Sequence, residues 1–490
     1  MRGVVLVLAL AWASPTAAAT ITVNSGGDLQ AALNAAVPGD EIVVEAGATF
    51  TGNFTLPVKS FGAAITIRSS ATLPNRRITV ADASLLPLIA PGNADPPLIG
   101  GTGVANWRLD GLQFGSTTGG NGEVLRMAGS DSIYMDRILI VAGVEGQKRG
   151  IQANGTNITL TRSHIANIWM LGVESQAFCA WDGAGPYTVT DNYLEAASIN
   201  ILFGGANSSS VGNIPQDILV DGNHMSKQTS WLGEGKVVKN LFELKQAKRV
   251  TITNNLFEHN WSDGQSGTAI VFTTRNDEGG SPWAVVEDVL FERNTVRNTE
   301  GIINILGYEN TSGHTSGQAT RITIQHNYLS GTGFFLQAGG EVGTVTIQHN
   351  TINQGGNLMT LYLGDVDPTG GDGLRAGLFA ISNLTYINNL AYHREYGVFG
   401  GSIGTSALEA MTETYTWTHN VLAGGNEAYV YPSVTWRPTE EDHAAQFDGD
   451  SHLIPGSTYR NAGNDGLDLG VVDTSVSVPR MRLRIRREDP

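Results

Sequence analysis

Basic side chains are scarce in this chain, and most of its lysines crowd into one segment. The chain of 490 residues has seven lysines, five of which fall between positions 227 and 248. They are Lys227, Lys236, Lys239, Lys245 and Lys248, and the arginines that follow are Arg249, Arg275, Arg293 and Arg297. The formal net charge is −16, so a local group of cations can gather an anionic substrate that the rest of the protein repels. The segment 227–297 is therefore the predicted location of the site.

Lys245 and Arg275 are the residue types that β-elimination of a uronate sugar requires. An arginine is a fixed cation that neutralises the sugar carboxylate and thereby acidifies the neighbouring C5–H group. A lysine among positive neighbours loses its proton more easily and can serve as the base. We predict Lys245 as the catalytic base and Arg275 as the neutralising cation or the acid. The predicted ligand is an acidic, uronate-containing polysaccharide.

Glu243 lies two residues before Lys245 and is a candidate metal ligand. Calcium prefers carboxylate and amide oxygens, so Glu243 and Asn200 are predicted to hold a Ca²⁺ ion together with the substrate carboxylate. Glu243 could equally form an ion pair with Lys245 or Arg275. The calcium site and the ion pair both stay open at this point.

Aromatic and polar side chains near this pair suit a sugar ligand. Aromatic rings stack on the apolar faces of sugars, and a glycan cleft is expected to carry some of them. The predicted substrate-binding residues are Trp181, Asn200, Glu243, Asn304, Trp261 and Lys239.

A repeat must hold these residues in place. A short strand, two polar positions, an asparagine and a hydrophobic residue recur, as in VTDNYL, TITNNLF and TIQHNYL. The asparagines are Asn192, Asn223, Asn255, Asn294, Asn327, Asn350, Asn389 and Asn420. Their spacing ranges from 23 residues (Asn327 to Asn350) to 39 residues (Asn350 to Asn389). A second strand follows each asparagine, so a parallel β-solenoid with variable loops fits best.

In such a solenoid the asparagines are expected to stack from coil to coil, adopting left-handed backbone at a tight bend. Alternation along the second strands then places Phe178, Ile199, Phe242, Ile270 and Ile303 in the core. The residues expected to face outward on successive coils are Gln152 with Asn154, Trp181, Asn200, Glu243 with Lys245, Thr273 with Arg275, and Asn304.

Composition limits the class of protein. A hydrophobic fraction of 41% is enough for a large core. A single cysteine, Cys179, excludes a disulfide framework. The acidic balance argues against general binding to nucleic acid, and no apolar stretch is long enough to predict a membrane span. We predict a monomer.

The two ends of the chain differ from the repeat. Residues 1–19 combine Arg2, an apolar run over 4–12 and small residues before Thr20, which predicts a signal peptide and a secreted protein. We predict an N-terminal cap and first coil over 20–60, with a helix capped by Asp28. The parallel β-helix is predicted over 61–430, a C-terminal cap over 431–473 and a basic tail over 474–490.

The VTITNNLF-type repeats and the helix-then-strand start resemble right-handed parallel β-helix proteins of the pectate-lyase-like superfamily. The ending YRNAGNDGLDLGVVD resembles secreted bacterial members. The resemblance covers about residues 20–473 and implies an all-β, right-handed parallel β-helix with an N-terminal capping helix. That superfamily includes lyases, hydrolases and binding proteins, so the fold does not select the activity.

The FELK and TTRND segments resemble the alginate and chondroitin B lyases of this fold, which use a lysine and an arginine on neighbouring coils beside an acidic Ca²⁺ site. The resemblance implies Lys245 and Arg275 for these roles. The chain departs from that pattern in two ways: the NWSDGQSG insertion widens the spacing, and no acidic cluster follows Glu243.

Two alternatives stay open. A glycoside hydrolase needs two or three carboxylates around one bond, and Asp182, Glu243, Asp263 and Asp365 could converge from separate coils. A non-catalytic glycan-binding surface protein would need only an aromatic and polar groove.

Overall fold

The computed structural model of the chain describes residues 18–276, 278–366, 374–449 and 451–472. Within these ranges the chain winds through three long parallel sheets, entering sheet 1, then sheet 3, then sheet 2 in each coil. This confirms the predicted all-β, right-handed parallel β-helix. The predicted tail over 474–490 and most of the predicted signal peptide lie outside the described residues.

Sheet 1 has 14 strands. In the coils that contain a repeat asparagine, the sheet 1 strand comes just before the tight turn at that asparagine. In spatial order they are Thr20–Val23, Glu41–Val44, Ile65–Ser69, Ala105–Asp110, Ser130–Asp136, Gly155–Thr161, Tyr187–Thr190, Gln216–Asp221, Ala247–Thr253, Val286–Glu292, Thr320–Gln325, Val342–Gln348, Ile381–Ile387 and Thr412–Thr418.

Sheet 3 also has 14 strands and follows the turn. They are Thr49–Thr51, Leu88–Ala90, Gln113–Phe114, Leu139–Val141, His164–Ile168, Tyr193–Ala196, His224–Ser226, Leu256–Asn260, Thr295–Thr299, Tyr328–Gly331, Thr351–Gln354, Leu390–Tyr392, Asn420–Ala423 and Thr435–Trp436. The sequence reading assigned two strands to each coil. The structure has three, because the hydrophobic residues after each asparagine form a short strand of their own.

Sheet 2 has 12 strands and contains the predicted second-strand series. They are Phe54–Thr55, Leu98–Ile99, Glu123–Arg126, Arg149–Gln152, Gln176–Ala180, Ile199–Phe203, Asn240–Leu244, Thr268–Thr273, Gly301–Leu306, Leu336–Gly339, Met359–Tyr362 and Val398–Phe399. A small antiparallel hairpin, Asp365–Val366 with Arg375–Ala376, projects beyond this sheet.

Short helices lie at the ends of the solenoid and in the loops between its strands. The α-helices are Leu29–Ala35, Thr405–Met411 and Glu440–Ala444, and the 3-10 helices are Val80–Leu85, Val211–Asn213 and Thr229–Trp231. The first α-helix begins as predicted, because the Asp28 side chain accepts a hydrogen bond from the Ala31 N–H. It buries Leu29 and Leu33 against the first coils. No helix of the described residues is long and apolar enough to cross a membrane.

Inward-facing side chains stack into one continuous core. Where the predicted site lies, the core contains a ring of four phenylalanines from all three sheets: Phe242 and Phe272, Phe257, and Phe291. Neighbouring ring centroids are 5.8–6.4 Å apart, the separation at which aromatic pairs attract. This packing fixes the two sheet 2 strands that carry Glu243 and Val271.

The eight repeat asparagines form a buried ladder, as predicted. Asn327 is typical: its Nδ2 donates to the Asn350 Oδ1 at 2.9 Å and to the Phe291 carbonyl at 2.9 Å. Its Oδ1 accepts from the backbone N–H of Asn294 at 2.8 Å. Each side chain therefore satisfies backbone groups that the turn leaves unpaired.

The left-handed backbone was expected at the asparagines and is instead found one residue earlier. His326, His349 and Asn388 have φ between 52° and 58°, and each directly precedes a ladder asparagine. The physical reason is that the asparagine side chain must point inward along the stack, so the preceding residue makes the bend.

Asn327→Ala is expected to lower the free energy of unfolding by about 1–3 kcal/mol, because it leaves buried donors and acceptors of neighbouring coils without partners. Chemical denaturation monitored by circular dichroism measures the change. Asn383→Ala is the matched control, because Asn383 is exposed on a sheet 1 strand. Equal losses in the two variants would contradict a structural role for the ladder.

Candidate active site

A cleft of about 300 Å³ lies on the outer face of sheet 2. Lys245, Arg275, Glu243 and Asn304 line it, together with Tyr362. Four of the residues that the sequence predicts for the site are thus found in one cleft. They come from three separate coils.

The strand register explains why they meet. Glu243 pairs with Val271, and Val271 pairs with Asn304 on the next strand. These side chains therefore form one outward column with steps of about 4.8 Å. Lys245 follows its strand directly, and its carbonyl accepts a hydrogen bond from the Arg275 N–H at 3.0 Å. Lys245 and Arg275 thus lie on adjacent coils, as expected.

Arg275 is oriented by a buried carboxylate that the sequence reading missed. The Arg275 Nη1 lies 3.1 Å from the Glu309 Oε1, and Glu309 is fully buried. The same oxygen accepts from the backbone N–H groups of Asn310 and Thr311. Glu309 lies in the loop after Gly301–Leu306, where no periodic pattern marks it. The Glu309 carboxylate fixes the guanidinium at the edge of the cleft.

Glu243 pairs with Lys245, which is one of the two possibilities left open above. The Glu243 Oε1 is 3.7 Å from the Lys245 Nζ, and the Glu243 side chain is 2% exposed. Its Oε2 is buried and has no hydrogen-bond partner in the part of the chain that the structure describes. The carboxylate therefore places a negative charge beneath the lysine.

The side chains at Glu243 do not form the donor set that calcium requires. Calcium takes six to eight oxygens, usually from several carboxylates. Among the described residues, no group of three or more His, Cys, Asp or Glu side chains is arranged to hold a metal ion. Glu243 already faces an ammonium group, and Asn200 does not reach it. Calcium stays a prediction, and no step below is assigned to it.

Asn200 was expected to face outward, and this expectation is wrong. Its side chain is fully buried and donates to the carbonyls of Leu194 and Ser226. The register pairs Phe178 with Ile201, not with Ile199, so Leu202 takes the outward position beside Glu243. Where the chain bends into sheet 2, two consecutive residues point inward, and Asn200 is the first of such a pair.

The two predicted tryptophans and Lys239 lie outside the cleft lining. Trp181 packs on a small cluster that includes Cys179 and Leu202, with the Arg149 guanidinium 5.3 Å from its ring. Trp261 is half-buried. The Lys239 Nζ is 2.5 Å from the Glu174 Oε1, and its side chain is 7% exposed.

The basic residues of the segment 227–297 do not form one positive surface. Lys227 is buried in the core, Lys248 pairs with Glu287 on sheet 1, and Arg297 pairs with Glu258 on sheet 3. The reason is that each coil passes through three sheets, so residues close in sequence point to different sides. Of the nine basic residues of the segment 227–297 that the sequence analysis names, only Lys245 and Arg275 line the cleft.

Tyr362 is the second cleft residue that the sequence reading missed. Burial raises the pKa of its hydroxyl, so the group is protonated at neutral pH and can donate a hydrogen bond. Its ring lies over Gly339, where an added Cβ would come within 2.4 Å of Tyr362 Cε2. The predicted series of outward-facing residues ends at Asn304. Extending it through the strand Met359–Tyr362 would have found this residue.

Comparisons with known proteins agree on the fold. No protein-family model matches the chain, and no curated protein sequence does. The chain is similar to a mannuronic acid specific polysaccharide family 6 lyase from human gut microbiota, with 14% identity and a TM-score of 0.51. That match covers 87% of this chain and 93% of the other.

Two further solved structures show weaker similarity. A family 6 polysaccharide lyase from Pseudopedobacter saltans has 14% identity and a TM-score of 0.43, covering 89% of this chain and 91% of that one. A pectate lyase has 12% identity and a TM-score of 0.39, covering 93% of this chain and 96% of that one. At 14% identity, the similarity to the mannuronic acid specific lyase concerns the fold alone and does not determine the activity.

Proposed function

We propose that this protein is a polysaccharide lyase that cleaves an acidic, uronate-containing chain by β-elimination. The observation that carries the proposal is that Lys245 and Arg275, from adjacent coils, line one cleft on sheet 2. A base and a fixed cation at one sugar unit are the two groups that this reaction needs.

The reaction assigns one task to each group. Arg275 binds the uronate carboxylate, and its charge stabilises the electron density that develops when the C5–H bond breaks. Lys245 takes the C5 proton on its amine in the unprotonated form, which the positive charge of Arg275 in the same cleft favours and the Glu243 carboxylate opposes. The electron pair of that bond forms the C4=C5 double bond as the C4–O bond breaks, and the departing oxygen takes a proton to become a hydroxyl.

Water in the open cleft can give that proton. Tyr362 lies four strand steps from the strand that precedes Lys245 and is suited to bind a neighbouring sugar unit. Its hydroxyl is protonated at neutral pH, because burial raises its pKa, and its side chain lines the cleft with Lys245. Asn304 lies in the same cleft, where its amide suits a hydrogen bond to a sugar hydroxyl.

Gly339→Ala tests the placement of Tyr362. The new Cβ would displace the tyrosine ring, so kcat/KM is expected to fall about tenfold while the protein stays folded. Steady-state kinetics measures the first quantity and circular dichroism the second. Gly143→Ala is the control, since nothing lies within 4 Å of a Cβ at Gly143. Unchanged kinetics in Gly339→Ala would exclude Tyr362 from substrate binding.

The hydrolase alternative is less well supported. Hydrolysis needs a pair of carboxylates around the bond. Of the four candidates named above, all of which the structure describes, only Glu243 is among the residues lining the cleft. Asp182 accepts hydrogen bonds from Ser209, and Asp263 accepts one from the Val238 N–H. A pure binding module is a further outcome of the following test.

The test incubates the protein with alginate, polygalacturonate, dermatan and other acidic polysaccharides. A rise in the ultraviolet absorbance of the unsaturated uronate product is the expected result. Release of reducing ends without that absorbance would indicate a hydrolase. Retention of a polysaccharide on the protein with neither signal would indicate a binding module.

We also propose that the protein is exported, which suits a polymeric substrate. The support is the order of Arg2, the apolar run over 4–12 and the small residues before Thr20. Mass spectrometry of the exported protein is expected to find an N-terminus near Thr20. An intact Met1 would contradict export through a cleaved signal peptide.

A further inference from the structure

An outward column of sheet 2 runs from the cleft toward the C-terminal end of the solenoid. The register pairs Asn304 with Gln337, Gln337 with Thr360, and Thr360 with Phe399. Three strand steps separate Asn304 from Phe399, or about 14 Å. Phe399 is therefore in line with the cleft on the same face.

The column changes from polar to aromatic at its far end. The Asn304 Nδ2 donates to the Gln337 Oε1 at 3.0 Å, and Thr360 follows as a half-buried polar residue. Phe399 is 37% exposed, although Val398 beside it is fully buried in the core. The core packing of this strand thus comes from Val398 and does not require an outward aromatic residue.

A second aromatic ring stands next to Phe399. The ring centroids of Tyr396 and Phe399 are 5.5 Å apart, with 39° between the ring planes. Tyr396 is half-buried. We call this pair the aromatic platform. It offers apolar ring surface at the end of a column that is otherwise polar from Asn304 onward.

We propose that the aromatic platform, Tyr396 and Phe399, is a distal subsite that stacks on a sugar unit of a long polysaccharide chain. The chain then runs along the solenoid axis across sheet 2, with its reacting unit at Lys245 and a later unit on Phe399. This rests on the proposed function, because that function places a polysaccharide in the cleft. Aromatic rings bind the C–H faces of sugars regardless of charge, so the subsite selects for chain length and not for the uronate itself.

The position of the platform determines which substrates it affects. An oligosaccharide that fills only the cleft does not extend three strand steps past Asn304, so the platform contributes nothing to its binding. A polymer reaches both places, and the second contact is then intramolecular. The platform should therefore lower KM for polymer and leave short substrates unaffected.

The test compares Phe399→Ala with the wild-type protein on polymeric alginate or polygalacturonate and on a trisaccharide of the same sugar. KM for the polymer is expected to rise about three- to tenfold, which corresponds to one lost stacking contact, while kcat and the trisaccharide kinetics stay unchanged. Phe399→Trp should keep the polymer KM. Phe61→Ala is the matched control, since Phe61 is 98% exposed and lies near the opposite end of the solenoid.

Two outcomes would overturn the subsite. One is an unchanged polymer KM in Phe399→Ala, and the other is an equal change for polymer and trisaccharide, which would indicate a general structural effect. Affinity electrophoresis in gels containing the polymer separates this proposal from the lyase proposal. If no polysaccharide is cleaved but Phe399→Ala weakens retention, elimination is overturned and the subsite is supported.

Discussion

Replacing Lys245 with alanine is expected to lower kcat for polysaccharide elimination by about 10²–10⁴-fold, the usual contribution of a positioned general base. The methyl group cannot accept the C5 proton, and none of the other six lysines, all of which the structure describes, lines the cleft. Arg275 and Tyr362 stay in place in this variant, so KM should change little. Measuring kcat and KM separately from the absorbance of the unsaturated product checks both expectations.

Lys248→Ala is the matched control for this variant. Lys248 lies three residues further along the chain, but on sheet 1, where its Nζ is 3.6 Å from the Glu287 Oε1. Its loss should leave kcat unchanged. Lys245→Arg adds a second comparison, because an arginine keeps the positive charge but does not give up its proton. Full activity in Lys245→Ala would exclude this residue as the base, and activity in Lys245→Arg would show that only its charge matters.

The fold could be predicted from sequence because its determinants are local and repeated. Eight coils share the same requirements: alternating hydrophobic residues in strands and one asparagine at the turn. Asn327 and its equivalents bond to the next coil at the same position, so insertions in the loops do not disturb the pattern. The stack therefore tolerates spacings from 23 to 39 residues between neighbouring asparagines.

The site could be predicted only in part, because it depends on register between coils. Glu243, Lys245 and Asn304 were placed correctly by alternation along their own strands. Asn200 was placed wrongly because strict alternation fails where the chain bends into sheet 2, and Asn200 and Ile201 both point inward there. The sequence also allows Phe178 to pair with either Ile199 or Ile201, because a shift of two residues preserves the alternation, and only the structure selects Ile201.

The positions of side chains in loops could not be predicted from the sequence. Glu309 orients Arg275, but it lies outside the strands and is fixed by backbone N–H groups of its own loop. The basic residues of the segment 227–297 are close in sequence but not in space. The winding of the chain distributes them over three sheets. Proximity in sequence predicts proximity in space within a strand, but not across the corners of a solenoid.

Lys227 is one of the lysines of that segment, and it lies inside the protein. Its side chain is 1% exposed, and its Nζ donates to the carbonyls of Ala196, Ala197, Ser198 and Asn240 at 2.8–3.0 Å. The fifth acceptor is the Asn200 Oδ1 at 3.2 Å. Burial lowers the pKa of this lysine, whereas five oxygen acceptors favour the ammonium, because a neutral amine would direct its lone pair at one of them.

The hydrogen bonds of this ammonium group connect the starts of two neighbouring strands of sheet 2. Ala196 and Ser198 lead into the strand Ile199–Phe203, and Asn240 begins the strand that carries Glu243. Equivalent corner positions on neighbouring coils are apolar, as at Ala177, Leu241 and Ala269. Asn200 and Lys227 are therefore a polar pair inserted into an apolar column, and each needs the other.

Lys227→Met is consequently expected to lower the free energy of unfolding by about 3–5 kcal/mol, because the apolar side chain leaves buried acceptors without a donor. Lys248→Met, on sheet 1, should change it by less than about 0.5 kcal/mol. Adding Asn200→Leu to Lys227→Met should recover part of the loss, since the apolar column is then continuous across this coil. Denaturant unfolding of the four proteins of this cycle gives the coupling energy. If the losses of the two single variants simply add, the pair has no special role, and the corner is held by the backbone hydrogen bonds of the sheets alone.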